Sequence, residues 1–90
     1  MSQPTPTRDE IARIAEEIYA NTIRAEAETE ENIGKMMSID IKSGDYEIDD
    51  DPIVAWRRLM ERHPDALAYG KRVGYDAAYA LGGTLTRTAP

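Results

Sequence analysis

From residue 7 onward the chain carries apolar side chains at three- and four-residue intervals. Ile11, Ile14, Ile18 and Thr22 keep one face, flanked by Ala15, Tyr19 and Ile23, while Glu16, Glu17, Arg24 and Glu26 fall mostly away from it. The spacing predicts a helix from about 8 to 30, within an amphipathic segment spanning 7–32. Thr7 followed by Glu10 forms a capping box at its start, and Gly34 is the expected stop after "ETEENIG". Residues 1–6, with Pro4 and Pro6, read as a disordered tail.

The period then changes to two. In "KMMSIDI", Met37, Ile39 and Ile41 point one way and Met36, Ser38 and Asp40 the other. After "KSGD", Tyr46 and Ile48 alternate with Asp45, Glu47 and Asp49. A three-residue loop would put isoleucines on the same face as acids. A two-residue Ser43-Gly44 loop pairs Ile41 with Tyr46 and Ile39 with Ile48, and a four-residue loop is expected to keep that register. The two-residue pairing sets Asp40 opposite Glu47 and Ser38 opposite Asp49. It predicts an acidic, solvated outer face.

"DDDP" begins a second helix, with Asp51 as cap and Pro52 in the first turn. Ile53, Trp56, Leu59 and Met60 are its expected apolar face, and Arg57, Arg58, Glu61 and Arg62 its solvent side. Pro64 ends it and His63 sits in the last turn. "ALAYGKRVGY" and "AAYALGG" read as two further strands around a "GYD" turn, and 84–90 as a loose tail. The expected fold is α+β. A long N-terminal helix precedes a ββαββ domain over 33–83, whose four-stranded antiparallel sheet has order 2-1-3-4 and one helix-covered face.

Composition narrows the chemistry. Ninety residues with 17 acids, 11 bases and a net charge of -6 make one acidic domain. That balance disfavours nucleic-acid binding, which needs cations against phosphates, and disfavours anionic membranes. No apolar run approaches the roughly 20 residues of a membrane span, and "MSQPTPTRDE" lacks the order of a signal peptide. With no cysteine, thiolate metal sites, disulfides and a Cys nucleophile are excluded, and a cytoplasmic setting is expected.

Asp40, Asp45, Glu47, Asp49, Asp50 and Asp51 lack EF-hand spacing, and the helix cap occupies the end of the run. His63, the single histidine, has no accompanying nucleophile elbow, and phosphate-binding glycine loops are missing. Trp56, Tyr46, Tyr69, Tyr75 and Tyr79 cluster in the second half with Arg72. Such residues dominate binding hot spots, but in a chain without Phe they must also fill the core, as expected for Trp56 and Tyr46. Tyr75, in a turn, is expected to be exposed.

"IGKMMSIDIKSGDYEIDDDP" and "RHPDALAYGKRVGYDAAYALGG" resemble a group of short, uncharacterised bacterial proteins common in cyanobacteria. The likeness covers about 33–83. It lies in the Gly-Lys entry, the Ser-Gly-Asp-Tyr-Glu turn, the acid run, the His-Pro-Asp-Ala step and the Arg-x-Gly-Tyr turn. The group carries no established activity. Its genes lie beside those of a small retropepsin-like protease or a toxin-like protein, so the resemblance implies partner binding.

The expectation is therefore a non-enzymatic cytoplasmic interaction module, an accessory or antitoxin-like partner, with no cofactor and no metal. Ile11, Ile14, Ile18, Arg72 and Tyr75 are its candidate contacts. The alternatives are a self-associating homodimer and a small metal-dependent enzyme using Asp40, Glu47 and Asp49.

Overall fold

The computed structural model describes residues 6–76 and 86–87. α1 runs over Arg8–Ile18, continues through a π turn at Tyr19–Ile23, and ends as α2, Arg24–Ala27. The capping box is formed: the Thr7 hydroxyl accepts from Glu10 N at 3.1 Å, and the Glu10 carboxylate accepts from Thr7 N at 2.9 Å.

The buried row is Ala15, Tyr19, Ile23 and Ala27, a strict four-residue repeat. In a plain α-helix each four-residue step overshoots the turn by about 40°, so such a row drifts off the core. The π turn, closed by Arg24 N–H to Tyr19 O, inserts extra backbone and turns the row back. Thr22, expected on the apolar face, is exposed, and its hydroxyl donates to Ile18 O at 2.7 Å.

The helix also stops earlier than expected, at Ala27 rather than near residue 30. Continuing it would place Glu28, Glu30 and Glu31 at the negative end of the helix dipole. Glu28 leaves helical geometry (ψ 72°), and Gly34 makes its turn afterwards at φ +92°.

Three strands, β1 (Met36–Asp40), β2 (Tyr46–Asp49) and β3 (Ala68–Arg72), form an antiparallel sheet of order β2-β1-β3. The isoleucine face is as the alternation predicts, but the register differs by two residues. Ile39 pairs with Tyr46, Met37 with Ile48 and Ser38 with Glu47. Asp40 therefore lies opposite Asp45, not Glu47, with Asp40 N donating to Asp45 O at 2.8 Å across a four-residue loop. The longer loop brings the Lys42 and Ser43 amides onto the Asp40 carboxylate, which a two-residue turn could not do.

The chain then bends at Val73–Gly74 (Gly74 φ +82°) rather than at "GYD". β4 (Tyr75–Asp76) pairs with β5 (Thr86–Arg87) in a separate two-stranded ladder, so the described main sheet has three strands and not four. The strand expected over 77–83 lies outside the described residues, as do 1–5, 84–85 and 88–90.

Met37 and Ile39 cluster with Tyr19, Ile23, Ala27 and Val73, with Ile18, Tyr46 and Ile48 packed against them. Strand alternation turns Ser38, Asp40, Glu47 and Asp49 to the opposite face. There α3 (Pro52–Arg62) lies against β1 and β2, burying Ala55 and Leu59 completely. Asp51 caps it, accepting from Ile53 N at 2.8 Å, with Pro52 in the first turn.

Ile23 is 2% exposed at the centre of the helix-facing cluster. Ile23→Ala should cost about 3 kcal/mol through lost burial and the residual cavity. Urea unfolding followed by circular dichroism measures this, and a cost under about 1 kcal/mol would contradict the packing described.

Candidate functional site

A cleft of about 300 Å³ opens where the hairpin turn meets the end of α3. Asp40, Lys42, Ser43, Arg62, His63, Pro64, Asp65 and Ala66 line it. The Ser-Gly-Asp-Tyr-Glu turn and the His-Pro-Asp-Ala step, about twenty residues apart in sequence, converge here. At its floor is Asp40, 2% exposed. Its Oδ1 accepts from Lys42 N at 3.0 Å and Leu67 N at 3.1 Å, and its Oδ2 from Ser43 Oγ at 2.7 Å and Ser43 N at 3.3 Å. Burial alone would raise the Asp40 carboxyl, but these donors outweigh it and hold the group below its ordinary value.

Above it, Asp45 accepts from Arg62 and meets His63 Nε2 at 2.8 Å. The His63 ring bond holds Asp45 at about 2, with Arg62 assisting against the upward push of partial burial. Arg62 also bonds Glu47 at 2.6 Å and Tyr46 O at 3.1 Å, and Arg58 bonds Asp49 at 3.2 Å. The hairpin acids, expected to be solvated, are thus held by two arginines expected on the solvent side of α3.

Nucleophilic catalysis needs a hydroxyl beside a free base. The Ser43 hydroxyl instead donates to Asp40 and accepts from Asp45 N at 3.1 Å, while His63 Nε2 is held by Asp45. Lys42 Nζ donates to Asp65 O at 3.0 Å. Asp40, Glu47 and Asp49 each have separate partners. Among the described residues no three His, Cys, Asp or Glu side chains gather as metal ligands.

A second polar cluster fixes the first helix. The Lys71 side chain is 4% exposed. Its Nζ sits 3.1 Å from Glu16 and 3.6 Å from the centroid of the Tyr19 ring. Tyr69 OH donates to the other Glu16 oxygen at 3.1 Å. Tyr19 OH donates to Glu28 at 2.5 Å and accepts from Gly74 N at 3.0 Å, and burial with that carboxylate raises its phenol pKa. Tyr46 OH donates to Glu26 at 2.5 Å and is pushed up to about 12, chiefly by burial.

The candidate contact residues fall in two places. Ile11 and Ile14 are half-buried on α1, and Ile18 packs on the core. Tyr75 is half-buried, with the Arg72 guanidinium 6.0 Å from its ring centroid and donating to Gly34 O at 2.8 Å. The residues missed by periodicity are on α3. Ile53 is 60% exposed and Trp56, expected in the core, is 48% exposed. The buried row is Ala55 and Leu59, because Arg58 and Arg62 must reach the hairpin acids on that side. Three acids on one strand face, opposite two arginines four residues apart, are the signal that reveals this orientation.

Compared with protein-family models, with curated proteins and with solved structures, the chain matches none of them. No described helix is long and apolar enough to cross a membrane.

Both Asp40 and Asp45 titrate below the ordinary aspartate value of 3.8 in the folded chain. Their stabilisation is present above that value and lost as pH falls below it, for Asp45 on the way down to about 2. Asp40→Asn should remove about 2 kcal/mol at pH 7, because the buried carboxylate's charge-assisted bonds to the Lys42, Ser43 and Leu67 amides are lost, and should flatten the acid limb of stability. Urea midpoints at pH 7 and pH 3 measure both effects, and an acid limb unchanged in slope would exclude this role for Asp40.

Proposed function

We propose that this chain is a non-enzymatic protein-interaction module acting in the cytoplasm, and that the outer stripe of α3 is its contact face for another protein chain. The carrying observation is the pair Ile53 and Trp56, 60% and 48% exposed one turn apart. A tryptophan beside Arg57 on an exposed helix face has the make-up of a binding hot spot. The cleft supports the same reading, since its hydroxyl, imidazole and cations are engaged in holding the turn rather than poised for reaction. Ile18 packs against the core, which supports reading α3 rather than the first helix as the contact face.

Trp56 is the single tryptophan, so intrinsic fluorescence reports this face alone. In dilute solution its emission should be red-shifted and open to acrylamide. Trp56→Ala should cost about 1 kcal/mol or less in urea unfolding, against about 3–5 for a core tryptophan. A core-sized loss with shielded emission would make Trp56 a structural residue and end this reading.

A further inference from the structure

We infer that the partner laid on α3 is a second copy of this chain, antiparallel across a twofold axis passing between Trp56 and Arg57. The inference rests on the reading of α3 as the contact face and names its occupant. Ile53, Trp56, Arg57 and Met60 follow one another at three- and four-residue steps, one stripe along the helix. An isologous contact requires that stripe to complement itself when reversed.

About this axis it does. Ile53 falls opposite Met60 of the second copy. The axis keeps each residue on its own side of the contact, so Trp56 packs beside the second copy's Trp56 as an indole pair, and Arg57 lies on the side that carries the second copy's Glu61. The charges also reverse along the helix. With Asp49, Arg58 and Arg62 paired within the chain and Asp51 capping the helix, the outward charges are Asp50 before its start and Arg57 and Glu61 in its second half. A parallel neighbour would bring like ends together, whereas an antiparallel one opposes them.

The side chains of Asp50, Arg57 and Glu61 have no ion pair among the described residues. Helical side chains lean toward their own N terminus. In the antiparallel pair Arg57 therefore leans toward Glu61 of the second copy, and Glu61 leans back toward Arg57. The axis forms that pair twice.

α3 has 11 residues, about 16 Å of helix, so the contact lies at the small end of specific interfaces. The expected dimer is weak, with a dissociation constant of roughly micromolar order, and concentration-dependent.

The absence of native cysteine allows a clean test. In the proposed register, Ile53→Cys/Met60→Cys under mild oxidation gives a covalent dimer on a non-reducing gel. Either single variant stays monomeric, because identical positions lie seven residues apart along the axis, about 10 Å, beyond disulfide reach. For the unaltered chain, light scattering should show a mass rising from 10.1 kDa toward twice that with concentration, as Trp56 emission shifts blue. Arg57→Glu should weaken this association about tenfold. A monomer at all concentrations with Trp56 quenchable overturns the second copy and leaves α3 to a different protein. A monomer with Trp56 shielded overturns both. A dimer whose double-cysteine variant does not cross-link, or whose Trp56 stays open to quencher, overturns the α3 interface.

Discussion

The Asp40 carboxylate is the point on which the sheet's arrangement turns. It sits at the end of the central strand and takes donors from the hairpin loop, at Lys42 and Ser43, and from the segment leading into β3, at Leu67. A charge that is 2% exposed is tolerated only when such donors surround it. Its demand for the Lys42 and Ser43 amides fixes a four-residue loop and therefore the β1–β2 register. Its bond to Leu67 delivers β3 to the other edge of β1. One side chain thus couples the hairpin, the cleft and the strand order.

The two faces of the sheet are held by different forces. The first helix is seated by apolar burial around Ile23, Met37 and Ile39, with the buried Lys71 paired to Glu16 and stacked on Tyr19. α3 buries only Ala55 and Leu59 completely and relies on Arg58 and Arg62 reaching half-exposed hairpin acids. Exposed pairs of that kind are individually weak and screened by salt, so the α3 side depends more on ionic strength than the first-helix side. The face that carries the outward Trp56 is thus on the helix whose polar ties salt screens most.

Local signals were readable from the chain wherever one residue decides the outcome. Thr7 with Glu10 and Asp51 with Pro52 began their helices as expected, and two-residue alternation put Met37, Ile39, Tyr46 and Ile48 on one face. The misreadings arose where two distant segments decide together. The hairpin register depended on Asp40 meeting Leu67, 27 residues away. The rotation of α3 depended on acids in the preceding hairpin, and an apolar count alone sent Trp56 inward. Lys71 carried no local mark of burial, because its partners Glu16 and Tyr19 lie more than fifty residues upstream. Of the cleft, His63 was visible as a helix-terminal residue, but its bond to Asp45 was not.

The π turn at Tyr19–Ile23 gives the first helix an adjustable phase. It acts as a one-residue surplus in an otherwise regular spiral, so the chain before it and the chain after it are set at independent rotations. Removing that surplus would leave Ile23 and Ala27 in place while turning Arg8–Ile18 by about 100° about its own axis. Glu16 would swing away from Lys71, and the half-buried Ile11 and Ile14 would change which side of the molecule they face. The outward identity of the N-terminal segment is therefore stored in the winding of five residues beneath it, rather than in its own sequence.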